Sequence, residues 1–188
     1  MNARRLSGAL LALSLVGLAG CTSSADTGGT PSASSTTSSS GTTSSTPTPD
    51  PSASASDAAL AAYRGYRAAQ VKALTTLDLK ASGLSTYAAD KAFTDVGATL
   101  LLFQQQGLVM KGQPQSAPSV ESVTLGATPT AVVTDCFDTS GWEAVHAATG
   151  ESAVAPGQAR RTWVRATLSV YAGRCVVRTV TNEKDRTC

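Results

Sequence analysis

Between residues 22 and 56 there is no aromatic side chain and no aliphatic one larger than alanine. Thirteen serines and nine threonines occupy most of these thirty-five positions, and proline, alanine and glycine fill most of the rest. Such a segment cannot bury enough apolar surface to offset the entropy of ordering it, so it reads as an unstructured tether. Whatever folds must do so within residues 57–188, a length typical of one domain. A flexible coil spans about 5–6 Å × √n, which sets the head a few nanometres from the start of the tether. The run Thr46-Pro47-Thr48-Pro49-Asp50-Pro51 is stiffer and marks the tether's end. Ser/Thr-Pro composition can attract O-linked sugars, but a spacer is the simpler expectation.

The segment before the tether explains why a spacer is needed. Met1 to Arg5 is short and basic, and Leu6 to Ala19 is apolar. A membrane-spanning helix needs about 20 apolar residues, so this run is too short and reads as a cleavable signal. It ends in Leu18-Ala19-Gly20-Cys21, where small residues fit the peptidase subsites and a cysteine follows directly. That is the order of a lipoprotein signal. Cys21 is expected to take a diacylglycerol and become the new N-terminus. Each buried CH₂ contributes about 0.8 kcal/mol, and two acyl chains suffice for stable anchoring. The expected location is the outer face of the cytoplasmic membrane. Leu6-Ser7-Gly8 continues Arg4-Arg5 poorly as a twin-arginine signal, so the general secretory route is expected.

Removal of Arg4 and Arg5 leaves thirteen basic residues against thirteen acidic ones. There is no basic stripe with interleaved aromatics, which argues against a nucleic-acid partner. Arg160-Arg161 reads as a solvated strand end. Ser56 or Asp57 can cap a first helix, with Leu60, Tyr63, Val71, Leu74 and Leu77 as its apolar stripe and Gly83 as its end. Ser85-Thr86 signals a second helical region, in which Phe93, Val96, Leu100 and Phe103 share one face before the stop at Gly107. Tyr63, Tyr66, Phe93 and Phe103 are expected in the core rather than as a pocket lining. After Gly112 the period becomes two. Val123 and Leu125 begin it, Thr130 to Phe137 carries it on, and Trp142 to Ala147 fits a further strand. Arg161 to Tyr171 alternates most clearly, with Thr162, Val164, Ala166, Leu168 and Val170 on one side, and turns at Ala172-Gly173 into Arg174 to Thr181. Helices first and strands afterwards predict an α+β fold, with helices on one face of an antiparallel sheet.

With Cys21 lipidated, Cys136, Cys175 and Cys188 remain, and an oxidising compartment predicts one disulfide and one leftover thiol. Cys136–Cys188 is favoured, because it would pin a fraying C-terminus to the sheet. Closing a loop of about fifty residues is expected to contribute roughly 2–4 kcal/mol. Cys175 then reads as a buried free thiol, with a reactive or metal-binding cysteine as the alternative. His146 is the only histidine and no Cys-x-x-Cys occurs, so neither a metal site nor a cofactor is expected.

Four stretches together resemble a known family: Tyr63-Arg64-Gly65-Tyr66, Gly107 to Gly112, Val133-Thr134-Asp135-Cys136-Phe137-Asp138 and the final hairpin. They are similar to small lipoproteins of high-G+C Gram-positive bacteria with an NTF2-like head, and the resemblance covers about residues 57–188. In such proteins the last hairpin often carries Gly-x-Trp-x-Val, and the Asp-Cys pair goes with a cysteine near the C-terminus. Here Cys175 stands at the tryptophan position, which makes it look like a substitution and supports Cys136–Cys188 as the pair. The resemblance implies a cone, in which a bent antiparallel sheet of about four or five strands wraps the helices. A pocket often opens at the end of such a cone. It also implies possible homodimerisation through the sheet, with Trp163 either a contact or covered by an arginine. Relatives of the fold include ketosteroid isomerase-like and SnoaL-like enzymes and many non-catalytic binding domains, so fold alone does not decide activity.

An isomerase would need a carboxylate base in an apolar pocket and donors facing an oxyanion. Asp135, Asp138 and His146 offer the residue types, but no motif marks them, and no Gly-x-Ser-x-Gly accompanies the histidine. Asp135 and Asp138 read as caps of the turn at Thr139-Ser140-Gly141, and His146 as a surface or hydrogen-bond-satisfied residue rather than a catalyst. The expectation is a membrane-anchored extracytoplasmic module, non-catalytic, that meets an envelope protein, a wall polymer or a small ligand. The alternative is a small pocket enzyme of the isomerase kind.

Overall fold

The computed structural model describes residues 50–183, 186 and 188; Cys21 and most of the tether lie outside them. Helix α1 spans Pro51–Thr76. Asp50 caps it by accepting from the Ser52 amide at 2.9 Å, and Pro51 takes the first position, where its missing N–H costs nothing. The helix thus begins ahead of the expected Ser56 or Asp57. The Asp-Pro pair, read as the tether's stiff end, is also an initiation signal. At the other end Leu77 leaves the apolar stripe, because it ends α1 in the left-handed region at φ 55°. Asp78 then caps the single turn α2 (Leu79–Ser82), which Gly83 ends.

Helix α3 spans Asp90–Gln106 and starts later than Ser85-Thr86 predicts. The reason is that the chain before it is claimed by a strand edge. Val177 donates to the Tyr87 carbonyl at 2.8 Å, and Ala89 donates to the Val177 carbonyl at 2.9 Å. Ala92, Val96 and Leu100 are buried on α3, and Phe93 and Phe103 pack partly against the core. Gly107 ends the helix at φ 64°, a conformation that costs a residue with a side chain.

Among the described residues six strands follow: β1 (Leu108–Gly112), β2 (Pro118–Thr124), β3 (Thr130–Asp138), β4 (Trp142–His146), β5 (Arg161–Tyr171) and β6 (Arg174–Glu183). They form a four-stranded antiparallel sheet in the order β2-β3-β5-β6 and a separate pair, β1-β4. The class is α+β. β1 was not foreseen as a strand, because its short run directly follows a helix stop. Gly112 closes it at φ 82°, where an added Cβ would collide with the Gly141 backbone. Two bulges interrupt the larger sheet. Glu121 is the extra residue between Val120 and Ser122, and Arg178 the extra residue opposite Thr167-Leu168. Bulges bend a strand and re-aim side chains. Arg178 is turned onto Asp90, at the start of α3, and onto Ser169 at 3.0 Å.

Val133, Phe137, Val164, Ala166 and Leu168 meet the alanine-rich face of α1 in the core. The segment before α3 also lies close against α1: at Gly65 any Cβ would strike the Tyr87 ring. Val170, expected to face inward with the other even-numbered residues of β5, is 39% exposed beside the hairpin turn, as is Leu125 at 50%.

Cys136 and Cys188 form a disulfide with their Cα atoms 5.8 Å apart, across 52 residues of chain. The tail that carries it lies against Trp163, whose ring has the Arg186 guanidinium 5.1 Å from its centroid. Trp163 is therefore covered by an arginine rather than bare. Cys188→Ser should lower the unfolding free energy by about 2–4 kcal/mol in urea without reductant, and dithiothreitol should lower the wild type to the same level. Equal midpoints before and after reduction would show that the bridge does not constrain the unfolded chain.

Candidate functional site: a buried Arg67–Tyr63–Asp135 chain beside a cavity

β3 alternates, so Asp135 shares its inward face with Val133 and Phe137, and it is fully buried. A carboxylate there must have its oxygens occupied. One accepts from the Ala117 amide at 2.7 Å; the other accepts from the Tyr63 hydroxyl at 2.8 Å and the Ser116 hydroxyl at 2.7 Å. Tyr63 accepts in turn from Nε of Arg67 at 2.8 Å, one helical turn along α1, and Nη1 of Arg67 donates to Gln70 at 2.9 Å. Arg67 is 7% exposed, and its guanidinium lies 3.9 Å from the Phe137 ring centroid. The nearest approach of Arg67 to Asp135 is 3.9 Å, so the tyrosine hydroxyl bridges the two charges.

Burial is the main force that raises the Tyr63 phenol pKa; Asp135 adds to it and Arg67 opposes it. Burial also pushes the Tyr66 phenol up. Both phenols stay protonated, and Tyr63 remains a donor to Asp135 across the range in which proteins work.

The outer side of this chain borders a cavity of about 380 Å³. Tyr66, Arg67 and Gln70 line it from α1, and Asp95, Val96 and Thr99 from α3. Phe137 and Thr139 close it at the end of β3, Gln158 and Ala159 from the loop before β5, and Thr162, Val180 and Asn182 from β5 and β6. Asp95 is about half exposed and held by Lys91 at 2.7 Å.

The three titratable residues singled out in the sequence part company. Asp135 is not a turn cap: the period-two pattern of β3 turns it inward. Asp138 is the cap, accepting from the Ser140 amide at 2.8 Å, and hydrogen bonds from Ser140 hold its carboxyl below the usual value. His146 ends β4, exposed, in the other sheet. Among the described residues no cluster of His, Cys, Asp or Glu could hold a metal. Cys175 is a half-buried free thiol, and burial pushes its pKa up. Arg67 was not singled out from sequence. Its signal was the Tyr63–Arg67 spacing of four, which puts a cation on the stripe that Tyr63 buries.

No family model matches the chain, and no curated protein does. Among solved structures, it is similar to the intermembrane-space region of the chloroplast protein ARC6, with a TM-score of 0.43 at 15% identity over 72% of this chain and 98% of that one.

Two outcomes test the network. Asp135→Asn leaves Arg67 as a buried cation without its counter-charge and should cost about 3–5 kcal/mol in urea unfolding. A loss below about 1 kcal/mol would show that the pair is not coupled to the fold. Above about pH 10 the unfolded tyrosines ionise while the buried phenols resist, so the unfolded chain holds fewer protons and stability falls as pH rises. The urea midpoint should decline from about pH 10 upward, and Tyr66→Phe should flatten the decline.

Proposed function

We propose that this chain is a lipid-anchored extracytoplasmic protein whose NTF2-like head binds a ligand or partner without transforming it. The order of basic start, apolar run and Leu18-Ala19-Gly20-Cys21 supports the anchor, with a diacylglyceryl group on Cys21 as the link to the membrane. No described helix is long and apolar enough to cross a membrane. Helices packed on one face of a bulged antiparallel sheet support the NTF2-like reading.

The observation that carries the non-catalytic reading is the state of Asp135. A general base must offer a lone pair to a substrate proton within about 2.6–3.2 Å or through one water. Asp135 has no exposed surface and already accepts three hydrogen bonds. Asp138 is tied to its turn, His146 lies in the other sheet, and the carboxylate on the cavity wall, Asp95, is paired with Lys91. What faces the cavity is mostly amide and hydroxyl side chains, which recognise rather than abstract.

The anchor is tested by growing cells on labelled palmitate. The wild type should carry label in the membrane fraction, whereas Cys21→Ala should lose it and appear in the soluble fraction. Labelled, membrane-bound Cys21→Ala would sink the anchor. Native mass spectrometry of the mature protein tests the head: a retained small-molecule mass, unchanged on incubation, is expected. Conversion of that molecule would replace this reading with the enzymatic one.

A further inference from the structure

Among the described residues, two side-chain polar groups are buried without a hydrogen-bond partner: Nη2 of Arg67 and Nε1 of Trp142. Both side chains are more than nine-tenths buried, Arg67 at 7% and Trp142 at 6% exposure. Native folds leave few such donors, and each needs a reason. These two fall on neighbouring cavities. Arg67 lines the cavity of about 380 Å³, and Trp142 lines a second of about 200 Å³. The two share Thr139, Gln158 and Ala159 as a common wall. Phe137 links them from within, stacked against Arg67 and edge-on to Trp142 at 6.0 Å.

We infer that the paired cavities form one two-part site for a small neutral carbohydrate, about a disaccharide in size, held by the amide and hydroxyl side chains of their walls. This rests on the binding-module reading above and names the ligand class for its site.

Charge decides between a sugar and an anion. Arg67 is the cation of the larger cavity, but Asp135 already lies 3.9 Å from it, and Asp95 adds a carboxylate to the wall. In the smaller cavity Glu143 and Arg160 offset one another. There is no surplus positive charge to draw in a phosphate or a carboxylate, which would also have to enter beside Asp95 or Glu143. The remaining polar lining is Gln70, Thr99, Thr139, Gln158, Thr162 and Asn182. Amides and hydroxyls both donate and accept, as sugar hydroxyls require. The larger cavity falls within the range of about 300–1,000 Å³ usual for small-ligand sites.

The chain has two tryptophans, so Trp163→Phe leaves Trp142 as the only one and makes it the reporter. The full mature protein carrying that change, held in a sugar-free detergent, is titrated with chitobiose and maltose, and separately with acetate and inorganic phosphate. A saturable change in Trp142 fluorescence with at least one disaccharide, and none with the anions, is expected. Thr162→Val and Gln158→Ala should each weaken that binding about five- to tenfold, with the thermal midpoint unchanged. A response to the anions alone overturns the carbohydrate assignment, and so does silence toward both disaccharides. Silence together with a small-molecule mass retained in native spectrometry sinks the carbohydrate and keeps the binding module. Silence with no retained mass removes the small-ligand site altogether and leaves only recognition of a macromolecular partner.

Discussion

A guanidinium and a carboxylate buried in the same core are tolerable only if nearly every polar atom is matched, and here a tyrosine hydroxyl makes the match. Tyr63 receives from Arg67 and gives to Asp135, so one atom satisfies both charges at 2.8 Å each. The arrangement fixes more than a pair. Arg67 and Tyr63 belong to α1, Asp135 to β3, and the Ser116-Ala117 donors to the chain entering β2. Sliding α1 by one residue would take both the hydroxyl and the guanidinium out of reach, whereas an apolar contact would tolerate the slip. An apolar trio would often be as stable. The polar one is more demanding about register, and the alanine-rich face of α1, with few large side chains to lock it, gains most from that demand.

The same chain divides the core. On the side of Val133, Ala166 and Leu168 the interior is apolar and closed. On the side of Phe137, Arg67 and Gln70 border a polar cavity between the helices and the end of the sheet. Phe137 also meets Trp142, which belongs to the smaller sheet, and Gln115, just past β1, exchanges backbone hydrogen bonds of 2.8 and 2.9 Å with Asp138 of β3. The two-stranded sheet is thereby pinned to the polar end of the core rather than to its apolar centre. A site in this molecule is consequently built where three separately formed parts converge, and each part is held by the same few buried atoms.

How much of this could be read in the sequence follows from where the determining physics lies. The helix of Phe93 and Leu100 and the alternation of Arg161 to Tyr171 were legible because both patterns are local and periodic. Helix starts were less so. Ala88 and Ala89 are kept out of α3 because this segment bonds to Val177, far along the chain, and no local signal announces that. Asp135 is the instructive case. In the period-two run from Thr130 to Phe137, Val133 and Phe137 fall on one face, and an aspartate midway between them has to share it. Treating Asp135 as a turn residue followed its chemistry instead of its period. Arg67 shows the same lesson on α1: a charged residue at the buried spacing marks a polar network rather than a flaw in the stripe. The cavity walls from Gln158, Thr162 and Asn182 could not be foreseen, since they depend on how β5 and β6 approach α3.

The cysteines show how separation along one sheet can keep a thiol and a disulfide apart. β5 is the ruler: Cys136 pairs with Trp163 and Cys175 with Val170, at opposite ends of the strand. Seven residues of extended chain span about 23 Å, far beyond the reach of thiol–disulfide exchange. The faces differ as well. The bridge lies with the C-terminal tail against Trp163, while Cys175 packs toward the core beside Ala55 and Ala58 of α1. Burial raises the thiol's pKa, so little thiolate exists to attack any disulfide. The thiol is thus kept from the bridge by position and by pKa together. A cysteine placed at Glu183, the β6 position opposite Trp163, would lose the protection of distance.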